Sequence, residues 1–127
     1  MEKVKKIMMA TVCIICMCLI VTITMKYVNP IVIERVDPVE IKVGQDFYLF
    51  EGKPTMSIYG KGFMVGDQIY INGELQDSAV GNDGWMTCFV DRALYQEAGE
   101  LKVEIRRLND SGRVKKKSDK VDINVIE

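Results

Sequence analysis

The sequence predicts an all-β domain, a β-sandwich of about seven short strands, preceded by one transmembrane helix. Three observations support this prediction. Apolar residues recur with a period of two over most of the chain after residue 30, as in half-buried strands. Glycine- and asparagine-rich turn sequences separate these segments. Residues 7–25 contain no charged side chain, which is typical of a membrane span.

The apolar segment is the first element of the chain. Its 19 residues would rise roughly 28 Å as a helix, close to the hydrocarbon core of about 30 Å. Lys3, Lys5 and Lys6 precede it and Lys26 follows it, a bias that keeps residues 1–6 in the cytoplasm. We therefore expect a single-pass protein of the cell membrane, with a short linker at 26–29 and an extracytoplasmic domain at 30–127.

A cleaved signal peptide, which would release a secreted form, is the competing interpretation of this segment. The apolar run exceeds the usual signal-peptide core of about 7 to 15 residues, and Thr22-Ile23-Thr24-Met25 offers no small-x-small cleavage site. Both features favour a retained anchor.

The four cysteines divide between the span and the domain. Cys13, Cys16 and Cys18 lie in the apolar run, where they serve as small apolar side chains or, alternatively, as sites of acylation or of disulfide-linked dimerisation. Cys88 stands alone after the span, so the domain has no internal disulfide and depends on packing.

Composition argues against several functions. Thirteen basic and seventeen acidic residues follow Lys26, a net charge of −4 that disfavours nucleic acid as a partner. The chain has no histidine, which excludes histidine-dependent triads and removes the commonest metal ligand. We expect no enzyme activity, no cofactor and no metal.

The predicted strands follow one another along the domain. In each, apolar residues alternate with polar ones, so that one face is buried. The inward residues are Val39, Ile41 and Val43; Met56 and Ile58; Leu101, Val103 and Ile105; and Val121, Ile123 and Val125.

Turn sequences lie between these strands. Asn72-Gly73 predicts a tight hairpin, because both central residues of that turn need positive φ. Residues 81–84 and 109–112 predict two further turns. Asp91 can cap a short helical turn that Gly99 ends, which makes residues 91–98 a connector.

Several short segments carry a family resemblance through their order and spacing. They are Val43-Gly44-Gln45-Asp46-Phe47, Met56-Ser57-Ile58-Tyr59-Gly60-Lys61-Gly62-Phe63, Ile69-Tyr70-Ile71-Asn72-Gly73, Trp85-Met86-Thr87-Cys88-Phe89-Val90, Leu94, Ala98-Gly99 and Ser118. With the strand from Leu101, they make residues 30–127 resemble an IPT/TIG domain. One departure is Asp91, where the family often has proline.

The resemblance implies an immunoglobulin-like sandwich with a binding or spacer role and without catalytic residues. It also implies that Phe63 is buried as a plug and that the glycines of residues 60–66 bend the chain between two strands. That segment nearly matches a dinucleotide-binding fingerprint, but its third glycine comes one residue late and a hairpin follows it.

Few residues could carry chemistry. By parity with Met86 and Val90, Cys88 faces the core and is an inert thiol rather than a nucleophile. Asp77, Asp83 and Asp91 lie in or near loops, but their spacing selects no pair for glycoside cleavage.

A basic cluster precedes the last strand and consists of Arg113, Lys115, Lys116 and Lys117, with Lys120 beyond. Such charges commonly protect a sheet edge from pairing with other chains. The alternative is a docking cluster for an acidic partner or an anionic envelope polymer.

Aromatic residues give the candidate partner-binding surface. If Ile58, Met86 and Cys88 face inward, then Tyr59, Trp85 and Phe89 face outward. In a sandwich of the resembled type their strands are neighbours, so the three would form one exposed patch, typical of a partner surface. Parity does not assign Tyr48 and Phe50.

The leading functional hypothesis is therefore a non-catalytic, membrane-anchored module that makes protein–protein contacts at the cell envelope. The alternative is carbohydrate binding, with Trp85 and Tyr59 stacking on sugar rings. Hydrolysis by a carboxylate pair is a third option, which would require an open cleft that holds two acids.

Overall fold

A computed structural model describes residues 30–127, and this domain is a β-sandwich. The predicted span at 7–25 and linker at 26–29 lie outside the described residues. Between Pro30 and Glu127 no helix has the length and hydrophobicity needed to cross a lipid bilayer.

The described residues form eleven strands and one short 3₁₀ helix. The strands are β1 Val32–Asp37, β2 Glu40–Lys42, β3 Tyr48–Phe50, β4 Lys53–Lys61, β5 Gln68–Ile71, β6 Glu74–Leu75, β7 Ser78–Asn82, β8 Trp85–Phe89, β9 Gly99–Leu108, β10 Val114–Lys117 and β11 Val121–Ile126. The 3₁₀ helix Arg92–Tyr95 joins β8 to β9.

The first sheet has five strands in the order β1-β4-β8-β7, with β3 also paired to β4. All of these pairs are antiparallel. Strands β1 and β3 pair with successive parts of β4, residues 57–61 and 53–55. The nine residues of β4 therefore carry most of this sheet's hydrogen bonds.

The second sheet has six strands in the order β2-β11-β9-β5-β6, with β10 also paired to β9. Strand β2 pairs with β11 in parallel, and the other pairs are antiparallel. The chain leaves the first sheet after Asp37 and joins the second at Glu40. Pro38, which has no N–H to donate to a ladder, lies at this crossing.

One hydrophobic core lies between the sheets. Its members come from alternate positions of the longer strands, because successive side chains of a strand point to opposite faces. They include Met56, Ile58, Met86 and Cys88 from the first sheet, and Ile69, Ile71, Val103, Ile105 and Ile123 from the second.

The all-β prediction is confirmed, and most of the predicted strands are present. The number of strands exceeds the predicted seven because β2, β3, β6 and β10 are short segments at or near sheet edges. Val39 and Val43 are exposed, contrary to the predicted alternation, because β2 spans three residues and both valines flank it. Only Ile41 of that trio is buried.

The predicted turns are present, with two corrections. Strand β7 extends to Asn82, which shortens the turn predicted at 81–84, and the 3₁₀ helix ends at Tyr95, so Gly99 opens β9 and does not end the helical turn. Asn72 and Gly73 have φ of 53° and 80° and join β5 to β6 as a two-residue hairpin. The carboxylate of Asp91 accepts a hydrogen bond from the Ala93 N–H at 3.0 Å, so Asp91 caps the 3₁₀ helix as predicted. Phe63 is buried in the core.

Candidate functional site

The outer face of the first sheet carries the candidate site. Residues directly opposite each other in an antiparallel pair share a face. The β4–β8 register places Tyr59 opposite Trp85, Ser57 opposite Thr87, and Thr55 opposite Phe89. Large rings at the two ends of β8 thus flank small hydroxyl side chains at its centre.

This arrangement leaves an open groove of about 470 Å³ on the outer face. Trp85 lies at one end and Phe89 at the other, four residues along β8, or roughly 13 Å away. The small side chains between them form the floor. The lining residues are Phe50, Thr55, Ser57, Asp77, Ser78, Ala79, Trp85, Thr87, Cys88 and Phe89.

Trp85 lies across the neighbouring strand β7. A β-carbon at Gly81 would overlap the indole ring, so glycine at that position allows the ring to rest against the β7 backbone. Trp85 is nevertheless 40% exposed, which leaves part of the ring open to solvent beside the groove. The glycine therefore fixes where the indole lies without covering it.

Tyr59 contacts Trp85's strand but does not line the groove. Arg35, opposite Tyr59 on β1, places its guanidinium carbon 3.8 Å from the centre of the tyrosine ring. This cation–π contact occupies one face of the ring. Of the predicted aromatic surface, the structure brings Trp85 and Phe89 to one groove and sets Tyr59 beside it.

Phe89 separates this groove from a second, more open one of about 400 Å³, which it also lines together with Leu75, Gln76 and Asp91. The Lys53 ammonium lies 5.3 Å from the centre of the Phe89 ring. Gln76 is buried, and its side-chain oxygen accepts from the Asp91 N–H at 3.0 Å. The Gln76 side chain at the second groove is therefore already engaged in a hydrogen bond to the backbone of the chain.

Cys88 contributes no reactive thiol to the groove. Burial, with a smaller contribution from the nearby charge of Asp77, raises the pKa of Cys88 to about 12. Because the thiolate is the nucleophilic form, Cys88 stays protonated and unreactive near neutral pH. Its side chain faces the core, as the parity argument predicted.

Sequence reasoning missed the hydroxyl side chains of the floor, among them Ser57 and Thr87, and one aromatic residue of the groove, Phe50. Phe50 belongs to β3, a three-residue strand that joins the edge of β4 through a turn at Glu51 and Gly52. The same register brings Tyr48 opposite Thr55 on the outer face. The Tyr48 hydroxyl donates to Asp37 at 3.1 Å, and this hydrogen bond raises the pKa of Tyr48.

The basic cluster lies on the other sheet, away from the groove. Its lysines form β10, where Lys116 pairs with Arg107 and Lys117 with Arg106 of β9. Arg113 occupies the preceding turn. In the described part of the chain β9 is the only strand paired to β10, so the cluster occupies a sheet edge.

Two of the three loop aspartates that the sequence singled out lie at the same groove. Asp77 and Asp91 line the second groove, whereas Asp83 lies in the turn before β8, at the opposite end of that strand. The Asp91 carboxylate is engaged in its cap. Residues 30–127 contain no group of three His, Cys, Asp or Glu side chains arranged to hold a metal ion.

Fold and groove together define a small β-sandwich domain with an aromatic, hydroxyl-lined concavity on one sheet. Comparison with protein-family models and with curated proteins finds no match. Several solved structures contain a similar fold, and two of them are described here.

The first similar structure is a gamma-CGTase from alkalophilic Bacillus clarkii, with a TM-score of 0.51 and 18% identity over 76% of this chain. The second is an auxiliary nutrient binding protein from Bacteroides ovatus, with a TM-score of 0.51 and 16% identity over 71% of this chain. The matched regions span 12% and 19% of those proteins. At these identities the similarity concerns the fold of one small part of each.

Proposed function

We propose that residues 30–127 form a non-catalytic module that binds carbohydrate in the groove between Trp85 and Phe89. The observation that carries this proposal is the composition of the groove, in which exposed aromatic surface flanks a floor of hydroxyl groups. Sugars present apolar C–H faces and hydroxyl edges, and a site of this composition complements both.

Individual groups have clear tasks in this proposal. The open part of the Trp85 indole offers a platform on which a sugar ring can stack. Ser57 and Thr87, side by side on β4 and β8, can donate to and accept from sugar hydroxyls. The carboxylate of Asp77, at the groove margin, supplies a charged acceptor.

The similar solved structures add modest support. One of them is a nutrient binding protein, so a sandwich of this shape occurs in a protein of that kind. The support extends to the fold alone.

The single tryptophan of the chain provides the test, because its emission reports directly on the groove. We would titrate the full-length protein with soluble oligosaccharides of glucose, mannose and N-acetylglucosamine, and follow Trp85 fluorescence. A saturable shift in emission is expected with at least one sugar class.

The matched variant is Trp85→Ala, with affinity measured by calorimetry. A tryptophan side chain of about 200 Å² that is 40% exposed offers roughly 80 Å² to a ligand, worth about 2 kcal/mol. Binding should therefore weaken by up to about thirtyfold. Unchanged affinity in Trp85→Ala would contradict sugar binding in the groove. Lys115→Ala, on the other sheet, is the control variant and should bind as the unaltered protein does.

A second candidate function, protein–protein contact, is favoured by strand β3. Tyr48, Leu49 and Phe50 are consecutive exposed apolar residues at the edge of the first sheet. An exposed apolar edge is a common docking site for a partner's strand. Co-purification after mild detergent extraction tests this candidate, and recovery of the isolated monomer under several conditions would count against it.

We further propose that the module is of the immunoglobulin-like IPT/TIG type and that residues 7–25 tether it to the outer face of the cell membrane. The first proposal is supported by the buried Phe63, which matches what the resemblance implies. The tether is supported by the length of the apolar run and by the lysines that precede it.

A further inference from the structure

The loop that joins β4 to β5 exposes two large apolar side chains. Met64 is 57% exposed and Val65 is 95% exposed, while Phe63 beside them is buried. The chain thus anchors the loop in the core at one residue and presents the next two to the outside.

A buried ion pair fixes the shape of this loop. Asp67 is buried, and its two carboxylate oxygens accept from the Nε and Nη2 atoms of Arg107 at 2.7 and 2.9 Å. Arg107 Nη2 also donates to the Gly62 carbonyl at 2.9 Å, and the Met64 N–H donates to Asp67 Oδ2 at 2.9 Å. Because these bonds order the backbone in advance, the tip can bind a surface with little further loss of conformational entropy.

The tip lies at the end of the domain where the chain enters it. Val32, near the start of the described residues, pairs with Lys61, the last residue of β4. Five residue steps separate Met25 from Pro30, a reach of at most roughly 18 Å. A membrane span at 7–25, as proposed above, would thus be joined to this end of the sandwich by a connection of that length.

Basic residues lie at the same end. Strand β9 runs toward the loop, and its Arg107, which holds Gly62 and Asp67, is opposite Lys116 of β10. Between Asn109 and Lys120 the chain has five basic residues and two acidic ones. Arg113, Lys115 and Lys117 are exposed there. Acidic residues also lie near this end. The Asp83 carbonyl accepts from the Phe63 N–H, and Glu34 forms an ion pair with Lys61 at 3.4 Å.

We propose that the Met64–Val65 tip inserts among lipid headgroups while the β9–β10 hairpin contacts anionic lipid, so that the domain docks on the membrane that tethers it. Apolar side chains next to a basic surface are the combination that binds anionic bilayer interfaces. The proposal rests on the membrane tether put forward under Proposed function.

The test places one tryptophan at the tip of the full-length chain. In a Trp85→Phe background we would introduce Met64→Trp and, as the matched control, Leu49→Trp. Leu49 is 59% exposed, nearly the same as Met64, but lies at the opposite end of β4. Both proteins are reconstituted into vesicles of phosphatidylcholine, with and without phosphatidylglycerol, and quenching by brominated phosphatidylcholine is measured.

Docking predicts that the Met64→Trp emission is quenched at least severalfold more than the Leu49→Trp emission. Phosphatidylglycerol should increase the difference, and Lys115→Glu with Lys117→Glu should abolish that increase. Equal quenching at the two positions would overturn the docking proposal.

Alkaline carbonate extraction of the same vesicles separates docking from tethering. If the chain resists extraction but the two positions are quenched equally, the tether is supported and the docking proposal is overturned. A chain that is extracted, yet is quenched selectively at the tip before extraction, supports docking and overturns the tether. Extraction together with equal quenching overturns both.

Discussion

Replacing Gly81 with alanine tests how the groove holds its tryptophan. The new β-carbon would overlap the Trp85 indole, so the ring must leave the β7 backbone. The backbone of Gly81 lies outside the positive-φ region that resists side chains. The indole is therefore the obstacle to this substitution.

The size of the effect follows from the exposure of Trp85. With 40% of the residue exposed, about 120 Å² of a side chain of about 200 Å² is covered. Taking half of that area as the contact with β7, its loss costs about 1.5 kcal/mol. Alanine returns about 0.4–1 kcal/mol by restricting the unfolded chain. The net destabilisation should be about 1 kcal/mol, a fall of about 4–8 °C in Tm.

A double-mutant cycle with Trp85→Ala isolates this contact. Once the indole is absent, Gly81→Ala should become neutral or stabilising by up to about 1 kcal/mol. Thermal unfolding of the four proteins measures the sign change, and a red-shifted Trp85 emission in Gly81→Ala should accompany it. An equal cost of Gly81→Ala in both backgrounds would refute the proposed packing of the indole against β7.

Three further predictions concern the core and the loop. Burial raises the pKa of Cys88 to about 12 from its ordinary 9.0. The unfolded chain therefore loses the thiol proton at a lower pH than the folded protein does. The free energy of unfolding should be constant below pH 9 and fall by up to about 4 kcal/mol as the pH rises toward 12. Denaturant unfolding across that range should show a smaller fall in Cys88→Ala. Ile58→Ala, at a fully buried position of β4, should cost about 2–5 kcal/mol in urea unfolding. Arg107→Ala leaves the buried Asp67 carboxylate unpaired and should cost about 3–5 kcal/mol, with faster amide exchange at Met64; unchanged exchange there would contradict the role of the ion pair.

The long strands were predictable because burial on one face imposes a period of two on their residues. Ile58 in β4 and Val103 in β9 lie where that alternation predicts them. The hairpin at Asn72-Gly73 was predictable because few residues other than asparagine and glycine adopt the φ values it needs. Both signals are local, because each depends only on residues that are close together in the sequence.

The short edge strands were not predictable in the same way. Strand β3 is three residues long, too few to show a period, and its pairing depends on the free edge of β4. The turn that forms it places Glu51 at φ of 51°, a conformation that glutamate rarely adopts. The sequence therefore carried no hairpin signal there, and Phe50 could not be assigned to the groove.

The candidate site was predictable in part. Parity correctly set Trp85 and Phe89 on the outer face, since Met86 and Cys88 beside them are buried. It could not show that Arg35 covers the ring of Tyr59, because that contact joins strands far apart in the chain. Nor could it show that Gly81 receives the indole.

Hydrogen-exchange mass spectrometry of the full-length chain, with and without a sugar that shifts the Trp85 emission, locates the sugar on the domain. Binding in the groove predicts slower exchange in β4 and β8, the strands that carry Ser57 and Thr87, and no change in β9 and β11 of the opposite sheet. Protection confined to the opposite sheet, or to the basic strand β10, would contradict a binding groove on the outer face of the first sheet.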